Sequence, residues 1–421
     1  MDNALHAARI LLPHAGITLE QWAVLACDQH TAQPEYWRRV EALAGDAPSA
    51  LRLILPEAWL DEGERRIPAI HEAMNRYLAQ GVLTTAVAEG FVLIERETSA
   101  GPRPGLVAAL DLEAYDYAPG SASLIRATEG TVLERVPPRA RIRAGAPLEL
   151  PHVMMLIDDP GQTVIEPLLK RHESLRPLYD FDLMLGGGRL RGWAVEGADV
   201  RGVFDAVDAL NTKAGGLLYA VGDGNHSLAA ARKCWLDIRG TLSPEARASH
   251  PARYALVELV NLACPALKFE PIHRALSGVD AAVLMAEFRA FLRAEGAEMG
   301  EGDDLTAFDG AGRTWRFKSD GHPLERLQRF LDGYLAQHPE AAIDYIHGED
   351  ALRALIDRPD ALGFVLPAFD KSELFGHIRR FGVLPRKTFS MGEAADKRYY
   401  MEARRIMWYN HENDDTGEAN P

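Results

Sequence analysis

The chain has 421 residues, a net charge of −15 at pH 7 and a hydrophobic fraction of 47%. This length is long for one core and favours two domains, and the acidic balance disfavours nucleic acid or an anionic membrane as a partner bound by bulk charge. The sequence has no apolar run of about 20 residues and no signal-peptide pattern, and its three cysteines are widely spaced, so we expect a cytoplasmic protein without disulfides or a zinc knuckle.

Hydrophobic spacing predicts a mixture of helices and strands through residue 262. An apolar segment at residues 22–27 comes first and ends in a polar turn. The elements that follow are predicted as helices at 34–43 and 67–80, paired strands at 90–95 and 106–112, a buried strand at 154–157, helices at 165–175 and 200–210, and a strand at 253–262.

The composition changes near residues 276–280, and the second part of the chain again alternates. Its predicted elements are helices at 281–294, 324–335, 351–357 and 371–380, strands at 314–318, 343–346, 362–366 and 382–384, and an acidic loop at 301–304. We therefore expect one domain over residues 1–275, an α/β subdomain over 276–410 and a disordered acidic tail over 411–421. Strands and helices mix without strict βαβ regularity, so the predicted fold class is α+β with a mixed sheet.

The most informative segment is a polar turn between an apolar run and an Ala-rich helix. The turn consists of Gly222, Asp223, Gly224, Asn225, His226 and Ser227. Such a turn directs backbone N–H groups and the positive end of the helix dipole at one point, which favours phosphate. Asn225 or Ser227 is expected to cap the helix, and Asp223 and His226 are candidate acid/base or metal-binding groups. The same residues also suit an ordinary structural turn.

A second polar segment, near the N-terminus, contains Asp28, Gln29 and His30. Asp28 or His30 could bind a metal or a substrate ammonium group, and Gln29 could bind a carboxylate, since polar loop residues on rigid scaffolds often carry function. The structural alternative is that Asp28 caps a turn while Tyr36 and Trp37 fill the core. The residues alone leave both alternatives open.

Two segments carry a positive balance within this acidic chain and could hold a phosphorylated ligand. In the segment that begins at Arg126, Glu129 could be a general base held near phosphate. In residues 384–406, Arg386 and Lys387 have the residue types of a phosphate clamp. The alternative for both segments is a solvated surface with local ion pairs of little energetic value.

Several segments, in this order, resemble the bacterial domain-of-unknown-function family ten-fifteen over nearly the whole chain. They are residues 26–37, 125–131, 222–229, 253–258 with 269–274, and 384–392. The turn is also similar to the motif Asp-Gly-His-His-Arg of free serine kinases in the ParB/sulfiredoxin superfamily. Asp223, Gly224 and His226 match that motif, whereas Asn225 and Ser227 stand where it has His and Arg.

This second resemblance implies a ParB/sulfiredoxin-like core in the first domain, nucleotide phosphates bound at the turn and a separate acidic residue as catalytic base. Ser227 cannot supply the bidentate donor of the missing Arg. If phosphate binds here, another part of the chain must supply the positive charge.

Residues and resemblance together predict a phosphotransferase that uses ATP or ADP with Mg²⁺ on a small hydroxylated metabolite such as a serine-like amino acid. Asp223 would bind Mg²⁺ or activate the hydroxyl, His226 would stabilise transferring charge, and Glu129 would be the base. The candidates for binding phosphate or substrate are Gly222, Gly224, Asn225, Ser227, Arg126, Thr128, Asp28, Gln29, His30, Arg386 and Lys387. The alternatives are a nucleotide-independent phosphatase or hydrolase and a non-catalytic nucleotide- or metabolite-binding protein.

Overall fold

The computed structural model describes residues 3–150, 153–296, 300–318 and 323–408, apart from the side chains of residues 28, 300, 301 and 303. The chain divides into two compact units. The first unit comprises Met1–Ala127, Thr131–Ala266 and Ala394–Pro421, and the second comprises Thr128–Gly130 and Leu267–Glu393. The predicted tail, residues 411–421, lies outside the described residues.

Helices and strands are mixed along the described chain, as the sequence predicts. The helices are α1 (Leu19–Trp22), α2 (Pro34–Ala44), α3 (Gly63–Ala79), α4 (Val136–Arg143), α5 (Glu166–Leu169), α6 (Ala198–Asn211), α7 (Asn225–Arg239), α8 (Pro244–Ser249), α9 (Ala281–Ala294), α10 (Pro323–Gln337), α11 (Glu349–Leu355) and α12 (Leu374–Phe381). Among the residues described, none of these helices combines the length and the apolar character needed to cross a bilayer.

The strands range from two residues to the sixteen of β3. They are β1 (Leu5–His6), β2 (Ala8–Pro13), β3 (Leu83–Thr98), β4 (Gly101–Asp111), β5 (Tyr115–Asp116), β6 (Ile125–Ala127), β7 (Leu148–Glu149), β8 (Met154–Ile157), β9 (Arg176–Asp182), β10 (Arg189–Val195), β11 (Tyr219–Asp223), β12 (Tyr254–Asn261), β13 (Phe269–Ser277), β14 (Gly300–Asp309), β15 (Thr314–Lys318), β16 (Ala342–His347), β17 (Ala361–Val365), β18 (Phe389–Met391) and β19 (Arg404–Arg405).

Most strands of the first unit form one mixed sheet, which has eleven strands among the described residues. Its main order is β5-β6-β11-β8-β12-β4-β3-β10-β9, with β1 beside β4 and β2 beside β3. The pairs β6–β11 and β8–β12 are parallel, whereas β3 and β4 are antiparallel. The mixed sheet with helices confirms the predicted α+β class, and the β3–β4 pair confirms the predicted strand pairing.

Both faces of this sheet are covered by apolar side chains. Along β3, Val92 and Ile94 belong to one hydrophobic cluster, whereas Phe91 and Leu93 belong to another. The first cluster includes side chains of α1, α2 and α3, and the second includes those of α6 and α7. Successive side chains of a strand point to opposite faces, so a strand buried on both sides has a continuous apolar sequence, as β8 does.

The second unit has its own sheet and its own core. Its sheet has six strands among the described residues, in the order β15-β14-β17-β13-β16, with β18 beside β13. Helices α9 and α10 contribute Phe288 and Leu331 to the hydrophobic cluster of this unit, together with Phe364 of β17. The carboxylate of Asp280 caps α9 by accepting from the N–H groups of Ala282 and Val283, and α9 has the predicted bounds.

The predicted acidic loop at residues 301–304 is wrong, because these residues lie inside β14. This strand pairs with β15 on one side and with β17 on the other. Asp and Glu have low strand propensity, and the pairing of the flanking residues Gly300 and Leu305 with β15 outweighs that preference.

Two other predicted elements are shorter than expected. The predicted helix at residues 165–175 is limited to α5, and the chain departs from helical geometry at Arg171, whose φ is −125°. The predicted strand at residues 382–384 is reduced to a single bridge between Leu384 and Glu129. Both segments satisfy their backbone groups through turns and neighbouring chain instead of a regular ladder.

Candidate functional site

The predicted turn connects β11 to α7 in the first unit. Gly224 is the N-cap of α7 and has a left-handed backbone, with φ of 81°, which glycine adopts without the steric cost of a side chain. Its carbonyl oxygen accepts from the N–H groups of Ser227 and Leu228, both at 3.0 Å. The expected cap by Asn225 or Ser227 is wrong, since no side chain caps this helix. The residues of the turn, Gly222 to Ser227, are half-buried.

The turn lies where two parallel strands end. Val221 of β11 is in register with Ala127 of β6, so the carboxyl ends of both strands reach the same edge of the sheet. Loops at the carboxyl ends of parallel strands are a common location of ligand sites. This edge therefore positions the turn suitably for binding.

The first two residues of α7 hold the loop that follows β6. The amide of Asn225 accepts from the hydroxyl of Tyr115 at 3.0 Å and donates to Oγ1 of Thr131 at 2.9 Å. Nε2 of His226 accepts from the backbone N–H of Val132 at 3.2 Å. In neutral His226 the proton is therefore on Nδ1, because a ring nitrogen that accepts carries no hydrogen.

Asp223 is paired with a cation from the far end of the chain. Its Oδ1 accepts from the N–H of Gly224 at 2.8 Å, and its Oδ2 lies 3.2 Å from Nζ of Lys397. The Lys397 side chain is only 10% exposed, whereas that of Asp223 is 36% exposed. Lys397 belongs to residues 394–406, which return to the first unit after the second.

Buried ion pairs fix the returning segment next to Lys397. The guanidinium of Arg398 donates to Glu258 at 2.6 Å and to Glu402 at 2.5 Å. The hydroxyl of Tyr179 donates to the same carboxylate of Glu402. All four side chains are buried, and the two carboxylates raise the pKa of Arg398 against the opposing effect of burial.

The N-terminal polar segment reaches the same returning segment through Tyr400. The N–H of Tyr400 donates to the carbonyl of Val24 at 2.8 Å. Burial raises the pKa of Tyr400, and Arg139 opposes this shift. Electrostatic interactions with Asp223 and Cys27 add to the effect of burial. Three parts of the sequence, around residues 24–30, 222–227 and 394–406, therefore share Tyr400 as a neighbour.

The structure gives His30 mainly packing contacts. Its ring stacks on Tyr36 with 3.7 Å between ring centroids, and its Nδ1 is 2.9 Å from Oε1 of Gln33. Its carbonyl accepts from the indole of Trp37 at 2.9 Å. Gln29 is half-buried beside it in a 3₁₀ turn, whereas the side chain of Asp28 lies outside the part of the chain that the structure describes.

Arg126 closes a loop of the first unit. Its Nε donates to the carbonyl of Ser123 and its Nη2 to that of Gly216, both at 2.8 Å. A guanidinium that bridges two backbone carbonyls fixes the approach to β11. These contacts give Arg126 a defined structural function.

Thr128, Glu129, Arg386 and Lys387 belong to the second unit. The carbonyl of buried Thr128 accepts from the N–H of Leu384 at 2.7 Å. The carboxylate of Glu129 accepts from the backbone N–H groups of Lys387 and Thr388, at 2.9 and 3.0 Å. Burial raises the pKa of Glu129, and these two donors oppose the shift.

Arg386 is engaged within the second unit. Its guanidinium donates to Asp332 at 2.6 Å and to the hydroxyl of Tyr345 at 2.9 Å. Lys387 has a positive φ of 55°, a rare conformation for a residue with a side chain. This backbone directs two successive N–H groups at Glu129, an arrangement typical of anion-binding backbone nests.

Lys397 is the functional candidate that sequence reasoning did not single out. The sequence signal for Lys397 is the excess of positive charge in residues 384–406, to which Arg386 and Lys387 also belong. The metal prediction for Asp223 rests on this one carboxylate, because no three His, Cys, Asp or Glu side chains lie together as a metal site among the described residues.

A family model described as "Protein of unknown function (DUF1015)" matches residues 11–347 of the chain. A search of curated proteins found no match.

A comparison with solved structures found several similar chains, including the following three. A conserved hypothetical protein from Pyrococcus furiosus has a TM-score of 0.36 and 13% identity, with 72% of this chain and 95% of that one covered. Free serine kinase in complex with AMP has a TM-score of 0.38 and 12% identity, with 72% and 91% covered. SbnI from Staphylococcus aureus, with a C-terminal truncation, has a TM-score of 0.35 and 7% identity, with 72% and 82% covered.

Proposed function

The chain belongs to the DUF1015 family, and on that premise we propose that it is a cytoplasmic phosphotransferase that binds nucleotide phosphates where α7 begins. The observation that carries the proposal is the pair of Asp223 and Lys397 beside the turn. The turn has Ser227 where the similar kinase motif has Arg, and Lys397 supplies a cation at this place. A ParB/sulfiredoxin-like core of the first unit is part of the same proposal.

The electrostatics of the turn support an anion as ligand. The ammonium group of Lys397 has three donors, of which one faces Asp223, so others can be directed at phosphate oxygens. The N-terminus of α7 adds the positive end of a helix of fifteen residues. Asp223 holds the ammonium group in place, because it pairs with a side chain that is mostly removed from water.

The proposed reaction is transfer of a phosphoryl group to a hydroxyl of a small metabolite such as a serine-like amino acid. The hydroxyl oxygen forms a bond to the terminal phosphorus of ATP, and the bond from that phosphorus to the oxygen of the leaving ADP breaks. Asp223 takes the hydroxyl proton, Lys397 neutralises the phosphoryl oxygens, and the Nδ1–H of His226 donates to developing charge.

Mg²⁺ fits this site only as an ion carried by the nucleotide. Mg²⁺ commonly takes one or two carboxylates together with phosphate oxygens and water, and the turn offers the single carboxylate of Asp223. When bound, the ion would neutralise charge on the phosphates. Coordination by Asp223 would require Lys397 to exchange its carboxylate partner for phosphate.

The decisive experiment measures nucleotide binding and phosphoryl transfer with the purified full chain. ATP, ADP and pyrophosphate are tested with Mg²⁺ against a panel of hydroxylated amino acids. We expect the donor to raise the melting temperature by mass action and a phosphorylated product to form. K397M should weaken donor binding by about 10-fold to 100-fold, since a hydrogen bond to a charged group contributes about 1.5–3 kcal/mol.

The helix α7 provides matched controls for both partners. Lys233 and Asp237 form an exposed pair on this helix, with Nζ 2.7 Å from the carboxylate. K233M and D237N remove the same charges away from the turn and should leave binding and turnover unchanged. D223N should lose turnover, because it removes the proposed acceptor of the hydroxyl proton.

The outcomes separate the proposal from its alternatives. Phosphate release without any nucleotide would identify a phosphatase or hydrolase. Ligand-induced stabilisation with turnover at background in both wild type and D223N would identify a binding protein. Absence of transfer and of any shift in melting temperature with all donors would overturn the proposal.

Glu129, which belongs to the second unit, is proposed as the alternative to Asp223 as catalytic base, and it needs its own test. E129Q keeps the size of the side chain and removes the base, so we expect kcat to fall by about 100-fold or more. The exposed Glu340 of the same unit provides the control E340Q. If E129Q lowers the melting temperature but leaves kcat unchanged, Glu129 is structural.

A further inference from the structure

We propose that Arg96 and Arg103 are positioning residues that hold the backbone of residues 395–397 so that Lys397 reaches Asp223. The inference rests on the proposed function and names residues on which the same site depends. Neither arginine touches the turn. Both lie in the β3–β4 hairpin of the first unit, which contains none of the motifs identified in the sequence.

Arg96 uses its guanidinium to bind backbone carbonyls instead of a carboxylate. Its Nη2 donates to the carbonyl of Ala395 at 2.6 Å, its Nη1 to that of Lys397 at 3.2 Å and its Nε to that of Gly187 at 2.8 Å. The side chain is 2% exposed and lies over the ring of Tyr399. Burial, with the neighbouring charge of Arg103, lowers its pKa to about 10.

Arg103 binds the carbonyl between these two. Its Nη1 donates to the carbonyl of Asp396 at 2.9 Å, while its Nε is 3.8 Å from Glu258. Arg96 and Arg103 are directly opposite each other in the β3–β4 register. Two like charges directly opposite each other destabilise a sheet, so the hydrogen bonds that the two guanidinium groups donate must offset this cost. Their common use is to fix three successive carbonyls.

The side chain of Asp396 is fixed from the turn of the same hairpin. Its Oδ1 accepts from the N–H of Ser99 at 2.9 Å and its Oδ2 from the Ser99 hydroxyl at 2.6 Å. On the other side of Lys397, Arg398 is held by Glu258 and Glu402. The residues before and after Lys397 are therefore both fixed, so the backbone from which the Lys397 side chain extends has a defined position.

The bonds to the backbone of residues 395–397 explain why a charged residue, Arg96, is buried at this position. A buried guanidinium that lacks a direct carboxylate partner costs free energy that an apolar side chain of similar volume avoids. Packing alone therefore does not account for Arg96. Fixing the backbone of Lys397 gives the guanidinium a function at a distance from the ligand.

The test uses R96K in the full chain, with pyrophosphate as the probe. Lysine keeps the positive charge but is a single point donor, so it loses most of the three carbonyl bonds. We expect at least a 10-fold weaker dissociation constant for pyrophosphate. S99A, which removes only the hydroxyl contact to Asp396, should also weaken pyrophosphate binding. This milder variant provides an independent test in case R96K does not fold. R189K, at an exposed arginine paired with Asp180, is the control.

A second readout reports on Lys397 itself. Reductive methylation with ¹³C-formaldehyde labels its amine, and the resonance is assigned by its absence in K397M. In R96K this resonance should move toward that of exposed lysines and lose its response to pyrophosphate. A general loss of stability without displacement of Lys397 would leave the resonance unchanged.

The failures of the two proposals are distinguishable. If wild type does not bind pyrophosphate, the proposed function fails. If wild type binds and K397M does not, while R96K and S99A bind as wild type does, the proposed function stands and the positioning inference is overturned.

Discussion

Arg398 is a buried charged residue whose ion pairs contribute little net stability but are costly to break. It is a buried cation between Glu258 and Glu402, and Tyr179 donates to the second of these carboxylates. Such an arrangement contributes little net stability compared with apolar residues, because desolvation of the charges offsets their attraction. Removal of one partner is costly, since it leaves a charge buried and uncompensated.

We therefore expect R398M to lower the free energy of unfolding by about 3–5 kcal/mol. Urea denaturation at pH 7 measures this value. R189M, which breaks the exposed pair with Asp180, should cost less than about 1 kcal/mol. Equal losses in the two variants would contradict the buried network, and adding E402Q to R398M should restore part of the loss.

His273 makes the stability of the second unit depend on pH. Its Nδ1 accepts from the N–H of Leu366 at 3.1 Å, which requires the neutral ring. Burial lowers its pKa below the ordinary 6.5, Arg274 acts in the same direction, and Glu349 opposes both. The unfolded chain then binds the proton more tightly than the folded chain.

The sign of this effect follows from proton linkage. The contribution of neutral His273 is fully present above the unfolded pKa of 6.5 and is lost as the pH falls through the folded pKa. H273N keeps an acceptor and removes the titration. Unfolding free energies of wild type and H273N should therefore diverge between pH 7 and 5, with a slope of at most about 1.4 kcal/mol per pH unit. Parallel curves would contradict the assignment to His273. The effects of the other histidines are the same in both proteins and therefore cancel in the difference between the two curves.

Among the elements, the beginning of α7 depends on the backbone of one glycine. Gly224 has φ of 81°, and its carbonyl begins the hydrogen bonds of the helix. G224A should cost about 1–2 kcal/mol, because a side chain in this conformation is strained. The control is G240A at the other end of the helix, where φ is −65° and an added Cβ meets nothing within 4 Å.

Circular dichroism during thermal unfolding measures both variants. G240A should be neutral or slightly stabilising, since alanine adopts that backbone without strain and restricts the unfolded chain. If the two substitutions have equal effects, the left-handed N-cap carries no special cost. G224A should also weaken pyrophosphate binding, because the turn is where the anion is proposed to bind.

Prediction from sequence succeeded for elements whose own residues determine them. Strand β8 and helix α9 have the predicted bounds, because their apolar spacing continues up to a turn or a cap. It failed for residues 301–304, where the pairing of the flanking residues Gly300 and Leu305 with β15 outweighs local preference. The predicted side-chain cap of α7 was also wrong because of contacts with distant residues, since the side chain of Asn225 bonds to Tyr115 and Thr131 instead.

The candidate site was predictable only in part. The turn itself was visible, because glycine and polar residues between an apolar strand and a helix form a local pattern. Its cation was not identified, because Lys397 reaches Asp223 through the returning segment and not through neighbouring sequence. Contacts between positions so distant in the chain leave no local pattern that propensity or spacing can detect.

At the scale of the whole molecule, each unit has its own sheet and hydrophobic core. Phe288 of the second unit is 1% exposed, and Phe91 of the first is fully buried. Truncation of a buried phenylalanine to alanine costs about 3–5 kcal/mol. We expect F288A to reduce amide protection mainly in the second unit and F91A mainly in the first.

Hydrogen exchange with mass spectrometry measures this division of stability. Peptides from β13 and β17 report on the second unit, and peptides from β8 and β12 report on the first. The two variants serve as controls for each other. Equal loss of protection in both units from either substitution would show that the chain unfolds as a single cooperative whole.

The order of the units along the chain has a consequence for synthesis on the ribosome. The first unit is interrupted by the second, and its residues 394–406 are translated only after Leu267–Glu393. A nascent chain thus displays the turn at Asp223 well before Lys397 exists to pair with it. Domains can fold as they are synthesised, so the second unit can be complete while the first still awaits its last segment. Ligand binding at the turn would then distinguish finished chains from unfinished ones.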